Sequence, residues 1–148
     1  MPSFISGRNR ACIAIGLDQI GRVNDDFGWL MGDKMLRASA RGLRKFLQEG
    51  DELYRMEGAN FVIAGRMNRN VAKQRAMEMR RALGGSNVRV EETTMPIASS
   101  LGVVSVEQAG DNSDSDSANA VYAALLQSLY QAKQKGGNTA EVHNITRF

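Results

Sequence analysis

The stretch of sequence that decides the fold is ELYRMEGANFVIAG, residues 52–65. Its two arms, residues 53–56 and 61–64, are short apolar runs of the kind that form neighbouring strands. A four-residue tip of one acid, one amide and two small residues lies between the arms: Glu57, Gly58, Ala59 and Asn60. Glycine suits the first central position of a type II′ turn, so Gly58-Ala59 predicts a tight β-hairpin.

The segment before this hairpin predicts one buried strand and two helices. Residues 11–17 are a nearly continuous apolar run, which is typical of a strand covered on both faces. Asp18 can cap a short helix that reaches about Phe27. Asp33 can cap a second helix. The apolar face of that second helix comprises Leu36, Ala40, Leu43 and Leu47.

The segment after the hairpin predicts a third helix and two further strands. Asn68 or Asn70 is expected to cap this helix, and Gly84-Gly85 to end it, because asparagine is favoured before helix starts and glycine after helix ends. Its apolar face comprises Ala72, Ala76, Met79 and Leu83. Residues 88–95 and residues 97–106 are each predicted to form one strand.

The C-terminal part predicts a loop, a helix and an edge strand. Residues 110–117 are polar and acidic, which indicates a solvated loop. The last helix covers about residues 118–135, with an apolar face made of Val121, Leu125, Leu129 and Ala132. Residues 140–145 can add an edge strand. In chain order, these elements predict an α+β fold in which helices cover a mixed sheet.

The composition is that of an ordinary globular domain and excludes several functions. Hydrophobic residues make up 43% and charged residues 24% of the chain, and the formal net charge is +3. No concentrated basic stripe with interleaved aromatics occurs, so we expect no nucleic-acid partner. No apolar run suits a membrane helix or a secretory signal, so we expect a cytoplasmic domain without membrane contact. The single cysteine, Cys12, is expected in the core.

Four segments in a fixed order resemble the GGDEF family, the diguanylate cyclases that join two GTP molecules into cyclic di-GMP. They are GLDQIGRVNDDFGWLMGDKML at 16–36, ELYRMEGANFVIAG at 52–65, SSLGVV at 99–104 and LYQAKQKGGN at 129–138. The resemblance implies a cyclase-palm-like, mainly antiparallel sheet flanked by helices. It also implies that residues 1–148 are one GGDEF domain, a kind that usually sits within a longer signalling protein.

The resemblance assigns guanine recognition to Asn24 and Asp33. In the family an asparagine and an aspartate at these positions hydrogen-bond the base, and both are unchanged here. An amide and a carboxylate suit guanine, because the edge of this base offers an acceptor beside a row of donors. The structural alternatives are that Asn24 bridges backbone groups and that Asp33 only caps its helix.

The metal-binding positions of the family have no carboxylate in this sequence. The aspartate that coordinates magnesium in the family is Gly16 here, and the acidic pair of the signature loop is Ala59-Asn60. The signature loop as a whole falls on Glu57, Gly58, Ala59, Asn60 and Phe61. Magnesium prefers charged oxygen ligands in octahedral geometry. We therefore expect no catalytic residue, no bound metal and no cofactor, with magnesium present only alongside residual GTP binding.

Lys133 is the phosphate contact that the sequence keeps from the family pattern. Gly137 stands where the family has a second, arginine contact, and Gln48 replaces the arginine of the product-inhibition motif that ends at Asp51. Without that arginine, bidentate recognition of a cyclic di-GMP phosphate is lost. Lys133 either contacts a triphosphate or is a solvated lysine at a helix end.

Three functions are consistent with this pattern. The first is a catalytically inactive regulatory domain in cyclic di-GMP signalling, which binds GTP through Asn24 and Asp33. The second is a module for homodimerisation or for docking a signalling partner, without nucleotide binding. The third is a residual diguanylate cyclase, whose metal ligands have moved to Asp18, two residues after Gly16, and to Glu57 in the tip of the hairpin.

Overall fold

A computed structural model of the chain describes residues 10–18, 20–56, 60–90, 92–106, 114–135 and 140–145. The elements in chain order are β1 (Arg10–Leu17), α1 (Ile20–Phe27), α2 (Trp29–Arg44), β2 (Glu52–Met56), β3 (Asn60–Arg66), α3 (Arg69–Gly84), β4 (Asn87–Val90), β5 (Thr93–Pro96), β6 (Ser99–Val106), α4 (Asp114–Gln134) and β7 (Ala140–Ile145). No helix in these described ranges is long and apolar enough to cross a membrane.

The main sheet has five strands in the order β2-β3-β1-β6-β7. Strand β1 lies at its centre and pairs antiparallel with β3 on one side and β6 on the other. Only the β6–β7 pair is parallel, with β7 at the edge. The sheet is thus mixed and mainly antiparallel, as the resemblance implies. Strands β4 and β5 form a separate two-stranded sheet.

Two apolar layers cover the two faces of the main sheet. Alternate residues of β1 divide between them, because successive side chains of a strand point to opposite faces. Ile13 and Ile15 face the layer that includes α1, α2 and α3, whereas Cys12 and Ala14 face α4. Burial in this second layer raises the pKa of the Cys12 thiol, so the side chain behaves as an apolar filler. The α+β expectation is confirmed.

Most of the predicted elements are confirmed. The apolar run 11–17 is β1, and both arms of the hairpin are strands. Asn68 caps α3, and its Oδ1 accepts a hydrogen bond of 2.8 Å from the Val71 amide. The predicted apolar faces of α3 and α4 are buried, residue for residue. The type II′ turn predicted at Gly58-Ala59 lies outside the described residues.

The predicted start of the second helix is wrong, and so is the capping role of Asp33. Helix α2 begins at Trp29, and its N-cap is Gly28, which has a φ of 91° and no side chain. This left-handed conformation, which glycine adopts without strain, lets the chain pass directly from α1 into α2. Asp33 therefore lies one turn inside the helix, where a carboxylate cannot cap its start.

Four other boundaries differ from the sequence expectation. Helix α2 ends at Arg44, so Leu47, which is predicted on its apolar face, lies beyond its end. Residues 88–95 belong to the β4–β5 hairpin and do not form one strand. The sequence does not indicate the reversal, because a four-residue strand is too short to show a clear alternation of apolar and polar residues. The next strand begins at Ser99, two residues later than expected. Helix α4 begins at Asp114, within the stretch predicted as a loop. Aspartate and serine are favoured in the first turn of a helix, which accounts for the earlier start.

Candidate nucleotide site

Three strands of the main sheet meet at the end of β1. Gly16 pairs with Asn60 on β3 and with Ser100 on β6. Asp18 is the first residue after β1, and its backbone N–H donates to the Ala98 carbonyl at 3.0 Å. The Asp18 carboxylate accepts a 2.6 Å hydrogen bond from Ser100 Oγ, so it is tied back to β6. These positions include Gly16 and Asn60, which the resemblance assigns to metal binding.

The missing side chain of Gly16 leaves a space that two other side chains enter. A Cβ atom placed on Gly16 would lie 2.9 Å from Asn60 Oδ1. It would also lie 3.5 Å from both Cε and Nζ of Lys133, which reaches the end of β1 from α4. The structure thus brings together three positions that are far apart in the sequence.

The described residues at this place do not fit a magnesium ion. Beside Gly16 stand the neutral amide of Asn60 and the ammonium of Lys133, and the nearby Asp18 carboxylate accepts a hydrogen bond from Ser100, whereas magnesium needs several hard oxygens of net negative charge. Within the described ranges no group of three His, Cys, Asp or Glu side chains is placed to hold a metal. Of the signature loop, Glu57, Gly58 and Ala59 lie outside these ranges.

The two candidate guanine-binding residues lie on α1 and α2, which pack against each other. Asn24 is exposed, and its amide rests on the α2 backbone at Gly32, next to Asp33. A Cβ atom at Gly32 would overlap Asn24 Oδ1 and lie 2.9 Å from its Cγ. Glycine at this position therefore makes room for the asparagine amide. Asn24 thus lies against the α2 backbone at the residue that precedes Asp33.

Arg37, which sequence reasoning missed, orients the carboxylate of Asp33. Its Nε lies 2.9 Å from Asp33 Oδ2, and the Asp33 side chain remains 41% exposed. The spacing of four residues on one helix is the signal that could have indicated this ion pair. The Asp33 carboxylate thus has Arg37 as a neighbour and is still reachable from solvent.

A cavity of about 280 Å³ lies between α2 and the edge strand β2, close to this pair. Its floor includes Leu36, Leu53 and Phe61, and its walls carry three arginines: Arg37, Arg44 and Arg55. The Arg55 guanidinium lies 5.4 Å from the centre of the Phe61 ring, within the range of a cation–π contact. Phe61 itself is only 4% exposed, so this signature-loop residue packs in the core.

The product-inhibition position Asp51 faces the protein interior. Its Oδ2 lies 2.6 Å from Nη2 of Arg75, and both side chains are more than nine-tenths buried. The same oxygen accepts a hydrogen bond of 2.8 Å from the backbone N–H of Gln48. A Cβ atom on Gly65 would overlap Asp51 Oδ1, so glycine there makes space for the carboxylate. Asp51 therefore serves an internal ion pair.

Comparisons with known proteins identify the family of the chain. The family model of the diguanylate cyclase GGDEF domain matches residues 6–139. The diguanylate cyclase DgcP of Pseudomonas aeruginosa is 31% identical over 129 residues, which is 86% of this chain and 18% of that protein. The diguanylate cyclase VdcA of Vibrio cholerae is 29% identical over 137 residues, which is 90% of this chain and 39% of that protein. The chain thus spans less than half the length of either relative.

The fold has a close counterpart among solved structures. The active GGEEF domain of a diguanylate cyclase from Vibrio cholerae superposes with a TM-score of 0.77 and 24% sequence identity. The superposition covers 94% of this chain and 85% of that one. The family match extends over residues 6–139, nearly the whole chain. The chain is a member of the GGDEF domain family of diguanylate cyclases.

Proposed function

We propose that this chain is a catalytically silent GGDEF domain that binds GTP and acts as a regulatory module in cyclic di-GMP signalling. The observation that carries the proposal is the end of β1, where Asn60 and Lys133 fill the space beside Gly16. In the family this position holds a magnesium-binding carboxylate. The domain keeps the candidate base-recognition pair, Asn24 and Asp33, while its catalytic end has changed.

The absence of catalysis follows from the charge that phosphoryl transfer requires. Metal ions normally neutralise the negative charge that develops on the transferring group, and this accounts for most of the catalysis in such sites. Gly16 supplies no ligand, and the amide of Asn60 supplies no charge. Asp18, which could offer a displaced ligand, is tied to Ser100 by a 2.6 Å hydrogen bond.

GTP binding is supported by the accessible pair on α1 and α2. The amide of Asn24 can pair with the acceptor of guanine, and the carboxylate of Asp33 can accept from its donors. The Asp33 carboxylate is 41% exposed and so remains accessible to a ligand, although Arg37 lies 2.9 Å from it. We further propose that the domain works in the cytoplasm as one unit of a longer signalling protein, because its relatives DgcP and VdcA are much longer.

Replacing Asp33 with alanine is expected to weaken GTP binding by about 10- to 100-fold, because a hydrogen bond to a charged group contributes about 1.5–3 kcal/mol. Trp29, the single tryptophan, is 71% exposed and lies one helical turn before Asp33, so its fluorescence can report the titration. The GTP-binding proposal fails if the wild-type protein binds no GTP in the fluorescence titration and none in calorimetry, with or without magnesium.

Two helical glycines provide a matched pair for the same titration. A Cβ atom at Gly32 would overlap Asn24 Oδ1, so Gly32→Ala should weaken GTP binding by displacing the amide. At Gly42 the nearest atom would be 3.6 Å away, an ordinary contact, and Gly42→Ala should leave binding unchanged. Equal GTP affinities in the two variants would contradict the role of Asn24.

A docking module without nucleotide binding is the second candidate, and exposed apolar residues at the start of α2 favour it. Trp29 and Leu30 are 71% and 65% exposed. Large exposed apolar side chains next to each other are typical of contact surfaces. A partner or homodimer bound there should be weakened by Trp29→Ala in sedimentation measurements. A concentration-independent monomer without GTP affinity would count against both candidates.

A further inference from the structure

The exposed side of α2 carries a row of basic side chains. Lys34, Arg37, Arg41 and Arg44 follow one another at spacings of three and four residues, and all four are exposed. Residues at such spacings are neighbours on the surface of a helix. The only acidic residue of α2 is Asp33, which pairs with Arg37. Within the described ranges the other three form no ion pair, so this side of the helix is positively charged.

The cavity between α2 and β2 combines this positive charge with an apolar surface. Three exposed arginines line it: Arg37, Arg44 and Arg55. Its apolar lining is buried or half-buried and consists of Leu36, Ala40, Leu53 and Phe61. An apolar surface and three guanidinium groups therefore meet in one small cavity.

The volume of the cavity, about 280 Å³, limits what can enter it. Sites for drug-sized ligands usually measure about 300–1,000 Å³, so the cavity suits one large apolar side chain better than a whole nucleotide. An inorganic anion would leave the apolar lining in contact with water, whereas an apolar side chain would cover it. The volume and the lining thus favour an amino-acid side chain as the group that enters.

The three arginines determine the charge of the segment that carries this side chain. A guanidinium group can bind a carboxylate through two parallel hydrogen bonds. Arginine is also enriched at protein interfaces, whereas lysine is depleted there. The Arg55 guanidinium already lies 5.4 Å from the centre of the Phe61 ring, so the charge and the apolar lining are in contact. Carboxylates on either side of the inserted side chain would meet opposite charges at this cavity.

We propose that the cavity docks an acidic segment of a partner protein, which inserts one large apolar side chain between flanking carboxylates. The inserted side chain contacts the apolar lining, and the carboxylates pair with Arg44 and Arg55. This docking goes beyond GTP binding and does not depend on it, because neither Asn24 nor Asp33 lines the cavity. The domain thereby recognises a signalling partner by its negative charge and by one apolar anchor.

The test is a peptide titration of the isotope-labelled domain followed by NMR, which detects weak binding. The probe is a pentapeptide with a central phenylalanine between four glutamates. One control peptide has alanine in place of the phenylalanine, and the other has lysines in place of the glutamates. We expect the probe to shift the amide signals of the residues that line the cavity and to bind at least about tenfold more tightly than the alanine peptide, because it buries a large apolar side chain. The lysine peptide should not bind. Equal affinities of the probe and the alanine peptide, or no binding of the probe, would overturn the proposal.

Two arginines of α2 separate docking from a general charge effect. Arg44 lines the cavity, whereas Arg41, which is exposed on the same helix, does not. Arg44→Gln should weaken binding of the probe by about tenfold, because it removes a charged hydrogen-bond donor. Arg41→Gln should leave binding nearly unchanged in physiological salt, which screens charges outside the cavity. Equal effects of the two substitutions would show non-specific attraction and would contradict the proposal.

Filling the cavity tests its apolar part. Ala40 is half-buried in the lining, so Ala40→Leu should abolish the preference for phenylalanine over alanine while circular dichroism shows an unchanged helix content. A preference that persists would contradict the insertion of a side chain. GTP added to the wild-type complex should leave the probe bound. Displacement by GTP would assign the cavity to the nucleotide site, and tighter binding of a single-stranded oligonucleotide of the same charge would assign it to nucleic acid; either result would overturn the proposal.

Discussion

Replacing Asp51 with alanine is expected to lower the free energy of unfolding by about 3–5 kcal/mol, because it leaves a buried guanidinium without its counter-charge. The Arg75 and Asp51 side chains are 8% and 4% exposed and lie 2.6 Å apart. Arg75 also donates to the Phe46 carbonyl at 2.9 Å, so the pair ties α3 to the segment between α2 and β2. Urea denaturation of both proteins measures the difference.

A charge-free pair at the same two positions identifies the cause. Removing both charges, in Asp51→Asn with Arg75→Met, should restore much of the stability, since no buried charge is then left without a partner and the new side-chain oxygen can still accept from the Gln48 backbone N–H. As a control, Asp26→Ala breaks the exposed Arg22–Asp26 pair, whose side chains are 84% and 55% exposed. That change should cost less than about 1 kcal/mol. A loss of the same small size in Asp51→Ala would contradict the buried-pair explanation.

Replacing Gly102 with alanine should lower the free energy of unfolding by about 1–3 kcal/mol, because it overpacks the contact between β6 and α4. A Cβ atom at Gly102 would overlap Ser128 Oγ and lie 2.7 Å from its Cβ and 3.2 Å from the Leu129 amide nitrogen. Backbone and Cβ atoms cannot rotate away, so the helix itself must shift. The shift would also move Lys133, one turn further along α4 from Leu129, away from the end of β1.

The comparison with Gly84→Ala makes this expectation specific. Gly84 ends α3, and a Cβ atom there would meet nothing within 4 Å. That substitution should leave the free energy of unfolding unchanged or raise it by up to about 1 kcal/mol, since alanine favours helix more than glycine does. If Gly102→Ala lowers the free energy of unfolding no more than Gly84→Ala does, the close packing of α4 on β6 does not limit the residue at position 102.

The scaffold could be predicted from local patterns, because burial sets the spacing of apolar residues. The run 11–17 has no polar residue and becomes the central strand β1, and the face through Ala72, Ala76, Met79 and Leu83 is buried as its helical period requires. The start of α2 could not be predicted in this way. It depends on the left-handed conformation of Gly28, and a glycine in a sequence does not reveal the sign of its φ.

The candidate site was predictable in its residues and unpredictable in its contacts. Motif order alone marked Asn24, Asp33, Gly16 and Lys133 as candidates. The approach of Lys133 to Gly16 depends on how α4 crosses the sheet, which no local pattern specifies. The buried partner of Asp51 left a weaker signal. Arg75 falls three residues after Ala72 and four before Met79, on the apolar face of α3, where an arginine requires an internal acceptor.

The fold does not depend on the carboxylates that a catalytic loop would carry. The hairpin is anchored by Met56 and Phe61, which are 6% and 4% exposed, and by the pairing of β3 with β1. These contacts are apolar or use backbone groups, and Asn60 at the start of β3 pairs with Gly16 without a carboxylate. A chain can therefore retain this scaffold while its catalytic positions change.

The central claim is that the domain binds GTP and does not convert it. The most direct measurement is chromatography of the nucleotide after prolonged incubation with the protein and magnesium or manganese, beside an active diguanylate cyclase as the positive control. We expect all of the GTP to be recovered unchanged, because Gly16, Asn60 and Lys133 supply no site for the catalytic metal. Formation of cyclic di-GMP would contradict this account and would point to metal ligands elsewhere, such as Asp18 and Glu57.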